Sequence, residues 1–377
     1  MKKLITAVGL MSGTSCDGID ASIIKSNGED SLNLIGDYFF PYEKKIRFKI
    51  RELKEKIEKV SDLETNRNEI LDLEKEITLS HFETTKILFE KLKIKKSEID
   101  LIGLHGHTIF HSFYDKKTMQ LGDGKTLAKL TGLNVIYDFR KNDLKNGGQG
   151  APLVPIFHSL LQKKLQIESP VVFVNIGGIS NLTYLDKNEE IKSFDSGPGN
   201  FLIDKLLQLK SNDKIQFDEN GKIAFKGKVD KIILDSYLSD PYYDSLPPKS
   251  LDVNDFNLSP IRSLSTENSI ATLSELSVIT IVNSLNFFPK KPRKIILCGG
   301  GRKNKYFYER IKKKSDISII NIDEYKIDGD FIESQAFAYL AIRSFLKKPI
   351  TFNETTGVSK PTIGGKLIEF KLAQSFL

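Results

Sequence analysis

The chain has no tryptophan, two cysteines, Cys16 and Cys298, and three methionines among its 377 residues. Two cysteines cannot staple a chain of this length, which excludes a disulfide scaffold and makes a reducing, cytoplasmic setting the expectation. Histidine is scarce as well, with His81, His105, His107, His111 and His158 making up all five. The spacing of His105, His107 and His111 imitates a metal site, but no fourth ligand accompanies it, and His81 and His158 read as structural. No stretch reaches the ~18 apolar residues of a membrane span. The apolar opening after Lys2 and Lys3 is short, carries Gly9 and lacks a cleavage-site pattern, so it reads as a first strand rather than a secretory leader. The net charge of +7 is spread over segments such as "RELKEKIEKVSDLE", where lysines sit beside glutamates. With no basic arm, zinc-finger spacing or RNP-type aromatic motif, neither nucleic acid nor membrane is an expected partner, and an acidic small molecule is.

What is present describes a globular chain. Hydrophobic residues make up 40% and charged residues 28%, enough for a sizeable core, and the length exceeds what one core usually serves, so two domains are expected. Strand and helix patterns alternate, the mark of an α/β fold. Residues 3–11 read as a strand, followed by the turn "SGTS" and a returning strand over Ile19–Ile24. A helix is expected over Asn68–Lys93, a strand ending in a Gly/His loop at "EIDLIGLHGHTIFH", and a helix from about Pro152. The strand-turn-strand pattern returns in "VVFVNIGGISNLTYL", and a third glycine cluster closes the strand in "PRKIILCGGGRKN". The repeated hairpin places one domain at 1–133 with 346–377 and a second at 134–345.

Glycine turns let a backbone approach a phosphate closely and line up N–H groups to hold an anion, although ordinary β-turns use the same residues. Three at strand ends suggest a bound nucleotide. Gly124-Lys125-Thr126 is not the end of a P-loop, because Met119 stands where that pattern needs glycine. Nor does "CGGGRKN" have dinucleotide-fold spacing. Asp17 and Asp20 follow the first turn and are suited either to Mg²⁺ or to the turn itself. Asp195 ends a strand before Gly197-Pro198-Gly199, where it serves as a general base or simply opens the turn. Asp330-x-x-Glu333 matches a capping box, the reading that spacing alone favours for Glu333. Arg140 enters a glycine-rich loop, where its fork suits a substrate carboxylate or a surface pair with Asp138 or Asp143.

Together the stretches "GLMSGTSCDGID", "GLHGHTIFH", "QLGDG", "DFRKNDLKNGGQGAPLVP", "NIGGISNLT", "FDSGPGN", "PPKS", "LCGGGRKN" and "ESQAFAYLA" resemble the conserved blocks of the anhydro-N-acetylmuramic acid kinases. These belong to the actin-like ATPase and sugar kinase superfamily. The resemblance runs from Gly9 to about Leu340, nearly the whole chain. It implies a two-domain, ribonuclease H-like duplication with a nucleotide cleft between the domains. The activity implied is the ATP- and Mg²⁺-dependent hydrolytic opening of an anhydro amino sugar with phosphorylation of O6, and a homodimer is implied as well.

By the same resemblance Asp195 and Glu333 are catalytic. Ser12, Gly13, Thr14, Asp17, Gly177, Gly178, Gly197, Pro198, Gly199, Gly299, Gly300 and Gly301 hold the nucleotide, with Asp17 beside the metal. Arg140, His105, Gly106, His107, Thr108, Gln149 and Gly150 face the sugar. The pattern departs at Cys16, where leucine is usual, at His107 for glutamine, and at Leu251-Asp252-Val253 for a Thr-Gly-Arg run. The alternatives are an actin-like kinase acting on an ordinary sugar hydroxyl and a sugar- or nucleotide-binding regulator without turnover.

Overall fold

The computed structural model describes residues 3–187 and 190–370. Residues 1–2 and 371–377 of the expected first domain and 188–189 of the second lie outside them. The chain divides into two compact units. Unit 1 is Met1–Lys164, Phe331–Asn353 and Gly357–Leu377, and unit 2 is Leu165–Asp330 with Glu354–Thr356.

Unit 1 begins with β1 (Ile5–Ser12), β2 (Gly18–Ser26), β3 (Leu32–Pro41), β4 (Leu101–Ser112), β5 (Lys117–Leu121) and β6 (Asn134–Tyr137). Unit 2 holds β7 (Val171–Ile176), β8 (Ile179–Leu185), β9 (Ile191–Pro198), β10 (Lys294–Cys298) and β11 (Ser318–Asn321), after which β12 (Lys366–Ile368) returns to the first sheet. The first sheet runs β12-β6-β4-β1-β2-β3, with β5 paired to β4, and the second β11-β10-β7-β8-β9. In each, the opening strand is antiparallel to the second and parallel to the fourth of a five-strand set. The second is likewise antiparallel to the third. The same order and sense twice over is the duplicated actin-like, ribonuclease H-like fold.

Every residue of β1 is buried, as a central strand covered on both faces must be. The helix Arg67–Leu92 buries Ile70, Leu73, Ile77 and Leu88 at helical spacing, close to the expected bounds. The helix Ile332–Phe345 lies against β1, β2 and β4. It comes close enough that a Cβ on Gly9 would stand 1.9 Å from the Ser334 carbonyl oxygen, and one on Gly103 2.4 Å from that of Phe337. In unit 2 the core gathers Val172, Val174, Leu182, Phe194, Ile270, Leu276 and Leu297 around the helix Thr266–Ser284.

Four expectations change. The units part after Lys164 and Asp330 rather than at 133/134 and 345/346, because β6 pairs with β4 and the Ile332–Phe345 helix packs on the first sheet. β4 continues through the Gly/His segment to Ser112, because β5 pairs with it there. The helix expected from Pro152 starts at Pro155, the proline that takes the first helical position. Finally, Thr266–Phe287 has the length and apolar composition to cross a membrane, yet 67% of its most apolar window is buried, as in a core helix.

Candidate active site

In unit 1 the β1–β2 hairpin holds the turn at its tip by a Cys16 N–H bond to the Gly13 carbonyl at 3.2 Å, with Cys16 at φ 56°. Asp17 is exposed just beyond and accepts a bond from the Ser15 hydroxyl. Ser12, paired with His107 in the β1–β4 register, gives its hydroxyl to His107 Nδ1 at 3.0 Å. His107 Nε2 lies 3.7 Å from Cys16 Sγ, and the Cys16 thiol donates to the Thr14 carbonyl at 3.4 Å. The directions fit a neutral imidazole that accepts at Nδ1 and donates at Nε2. Burial holds His107 well below the usual histidine range, with Lys54 and His81 adding to it. Burial also pushes the Cys16 thiol up, so it stays protonated. Cys16 and His107 therefore touch each other around Ser12.

A second cluster of unit 1 joins Arg140 to β4. Arg140 Nε donates to His105 Nε2 at 3.1 Å and Nη1 to the Gly150 carbonyl at 2.8 Å. His105 donates from Nδ1 to the Gly106 carbonyl at 2.9 Å. Its ring lies 4.3 Å from that of Phe337. Burial, then Arg140, keeps this imidazole neutral. Gly106 needs to be glycine, because its φ is +80° and a Cβ would meet the Leu121 carbonyl oxygen at 2.2 Å. The Gly150 N–H bonds Asp143 at 2.7 Å, and His111 Nε2 donates to the Gln149 carbonyl at 3.0 Å. Thr108 is half-buried and takes the Gln120 amide at 3.3 Å. Asp138 pairs with Lys141. His105, Gly106, Arg140, Gln149 and Gly150 are thus brought together, as the sequence suggested.

Glu333 stands in the first turn of its helix beside Ser334, whose hydroxyl bonds Ser22 at 2.6 Å. The capping-box reading fails: Phe331 is the N-cap, without a side-chain cap bond, and Asp330 is drawn to Arg302 and Lys303.

Unit 2 gathers its three glycine turns at one end of the sheet, where β7, β9 and β10 all finish. Gly177 and Gly178 give their carbonyls to the N–H groups of Gly199, Asn200 and Phe201 at 2.7–3.1 Å. A Cβ on Gly199 would sit 2.2 Å from the Gly177 oxygen. In the third cluster Gly299 has φ +72° and Gly301 presses on Ile176, but a Cβ on Gly300 would meet nothing within 4 Å. β9 runs through Gly197 to Pro198 with a register shift opposite Ser180 and Asn181, so Asp195 lies inside the strand rather than ending it. It is 5% exposed. Its Oδ2 accepts the Leu251 N–H at 2.9 Å, its own N–H bonds the Lys249 carbonyl at 3.1 Å, and its carbonyl takes the Tyr242 hydroxyl at 2.6 Å. Leu251 therefore acts here through its backbone, a contact that any non-proline residue supplies.

Sequence reasoning missed three residues. Arg302, 2% exposed at its side chain, bonds the Gly299 carbonyl and Asp323, Asp328 and Asp330, and so clamps the third glycine turn. Its signal was the arginine directly after "GGG", followed by the acidic run "DEYKIDGD". Lys249 gave only its place in the "PPKS" block, and Tyr242, five residues before that block, gave no signal. Among the described residues no group of three or more His, Cys, Asp or Glu side chains is arranged to hold a metal.

A duplicated ribonuclease H-like fold with paired glycine turns is the architecture of the actin-like ATPases and sugar kinases. Comparison with known proteins places it further: the sequence profile described as "Anhydro-N-acetylmuramic acid kinase" matches residues 5–369, and the chain belongs to that family. The enzyme of that name from Pelagibacter ubique (strain HTCC1062) is 46% identical, over 98% of this chain and 100% of its own length. That from Rhizobium etli is 39% identical, over 96% and 98%. Among solved structures, a ROK family glucokinase from Streptomyces griseus in complex with glucose and AMPPNP overlays with a TM-score of 0.43 at 10% identity, covering 89% of this chain and 98% of its own.

Proposed function

We propose that the chain opens 1,6-anhydro-N-acetylmuramic acid with water and passes the γ-phosphoryl group of ATP to O6, releasing ADP and N-acetylmuramic acid 6-phosphate for cell-wall recycling. The observation that carries the reading is Asp195, buried at the glycine-rich end of its sheet, whose carboxylate accepts the Leu251 N–H and whose backbone is held by the Lys249 carbonyl and the Tyr242 hydroxyl. Such a group takes a proton from water as the water attacks the anomeric carbon, while the bond to O6 breaks and O6 receives the phosphoryl group. As in inverting glycosidases, the base and the departing oxygen lie on opposite faces of the sugar ring. Glu333 is the second carboxylate. Arg140, oriented by His105 and Gly150, meets the lactyl carboxylate of the sugar, and Gly106, His107, Thr108 and Gln149 shape that side.

Ser12, Gly13 and Thr14 receive the phosphates, and Gly177, Gly178, Gly197, Pro198, Gly199, Gly299, Gly300 and Gly301 receive the rest of the nucleotide. The glycine at position 300 fits this role, since no protein atom requires it. An exposed single carboxylate suits Mg²⁺, which keeps most of its waters, so Asp17 would hold that ion, whose charge offsets that of the phosphates. A homodimer follows the family resemblance. A cytoplasmic location agrees with two free, buried thiols.

The test is ADP release with the anhydro sugar and with N-acetylmuramic acid, in ¹⁸O-labelled water. Label should enter the sugar only from the anhydro substrate, and Asp195→Asn should lower kcat by about 10²- to 10⁴-fold with ADP affinity unchanged. Turnover of N-acetylmuramic acid, or full activity in the variant, would overturn the reading.

A further inference from the structure

Lys249 is only 7% exposed, an unusual place for an ammonium group. Its Nζ donates to the Tyr242 carbonyl at 2.9 Å and to the Tyr243 carbonyl at 3.3 Å. It also lies over three aromatic rings, Tyr242 and Phe287 at 4.6 Å and Phe194 at 5.8 Å. Two carbonyl dipoles and three ring faces replace the water that the charge gives up on burial. Two of these partners, Phe194 and Tyr242, lead back to Asp195, and so does the Lys249–Leu251 backbone. Phe194 precedes it on β9, the Tyr242 hydroxyl bonds its carbonyl, the Lys249 carbonyl takes its N–H, and Leu251, two residues on, gives its N–H to Oδ2. The segment Tyr242–Leu251 is thus closed on itself by one ammonium and grips both backbone and carboxylate of one aspartate.

We propose that Lys249 is a positioning residue for Asp195: its ammonium draws the Tyr242–Tyr243 turn onto the segment that carries Leu251, and so sets where the Asp195 carboxylate points. The inference rests on the reading of Asp195 as the base. A misplacement of about 1 Å at a reacting group costs up to about 100-fold in rate without touching substrate affinity. The expected signature is therefore a loss confined to kcat.

The experiment measures kcat, both KM values and ADP affinity for Lys249→Met, Lys249→Arg, Tyr242→Phe, the Lys249→Met/Tyr242→Phe double variant and Asp195→Asn. Lys249→Met keeps the length of the side chain and removes the charge, and should lower kcat about 10- to 100-fold with KM within about twofold. Lys249→Arg should restore most of that loss. Tyr242→Phe should cost less than Lys249→Met, and the double variant no more than Lys249→Met, because both changes cut the same link. A wild-type kcat in Lys249→Met beside an inactive Asp195→Asn overturns the inference and leaves the base reading standing. An active Asp195→Asn overturns the base reading itself. Losses in KM and ADP affinity equal to the loss in kcat would make Lys249 structural only. Should Lys249→Met not fold, Lys249→Arg and Tyr242→Phe decide: a KM-neutral fall in the latter supports the link, and none sinks it.

Discussion

The two units share strand order and sense but not their buried polar chemistry. Unit 1 holds all five histidines of the sequence, and His81, His105, His107 and His158 are buried there with the half-buried His111. Unit 2, which has no histidine, relies on charged groups: Arg302 among three aspartates, Glu275 against Arg310 and Lys314, and Lys249 in its aromatic cage; unit 1 buries charges too, Asp143 and Arg343, in addition to its imidazoles. One topology thus accepts either neutral imidazoles or ion pairs in its interior. The apolar pattern selects the sheet order, and buried polar groups need only find partners.

That contrast is broken or sharpened first by acid. Burial lowers His81 and His111 to about 4 and His158 to about 3. A base whose folded pKa is depressed contributes stability that is present above its unfolded value, near 6.5, and is lost as the pH falls toward the folded value. At pH 5 each of the three costs about 2 kcal/mol, together comparable to the whole stability of an ordinary domain. In unit 2 burial pushes Glu275 and Asp330 up, but their cations outweigh it and hold both below the usual carboxylate range, so their contribution persists until the pH drops under about 4. Hydrogen exchange corrected for intrinsic rate should show residues 3–164 losing protection between pH 6.5 and 5 while 165–330 keep theirs. Simultaneous loss in both units would erase the distinction.

A smaller effect separates the ways the sheets are covered. In unit 1 helix backbone meets glycine, so Gly9→Ala drives a methyl into the Ser334 carbonyl and should cost about 3 kcal/mol. By contrast Gly300→Ala, in the turn after β10 of unit 2, meets nothing within 4 Å and should stay within about 0.5 kcal/mol. Urea unfolding of both variants tests the pair, and a mild Gly9→Ala would mean that the helix shifts freely on the sheet.

The hairpins, the long helix and the glycine turns were legible because each is a local pattern: alternation, helical spacing, or a backbone conformation that glycine favours. The glycine turns of unit 2 also proved to be neighbours, which the parallel sense of β7, β9 and β10 required. What escaped was set by pairing across the chain. β4 continues past His107 only because β5, a separate segment, hydrogen-bonds it. Glu333 looked like a cap because Asp330 stood three residues before it, but Arg302, distant in sequence, claims that aspartate. The Ile332–Phe345 helix was assigned to the second domain by its position in the chain, whereas Gly9 and Gly103 give it a seat on the first sheet. Tyr242 carries no motif and Lys249 only its place in "PPKS", and both become meaningful only once Asp195 lies between them.

The smallest test concerns the Ser12, His107 and Cys16 set. His107→Gln keeps an acceptor for the Ser12 hydroxyl but shortens the reach to Cys16 Sγ, so at pH 7.5 it should cost about 1 kcal/mol, the worth of one ordinary hydrogen bond. His107→Leu should cost more, about 2 kcal/mol, because Ser12, 2% exposed, would lose its partner inside the fold. The sign then depends on pH. His107 is held well below the usual histidine range, so the wild-type chain alone must keep this imidazole neutral as the medium acidifies. The deficit of His107→Gln should therefore shrink as the pH falls through 6.5, cancel near pH 6 and be reversed at pH 5. Thermal unfolding of both chains from pH 7.5 to 5 measures the gap. A gap that stays constant would mean that His107 titrates alike folded and unfolded, and that the acid weakness of unit 1 rests on the other four histidines.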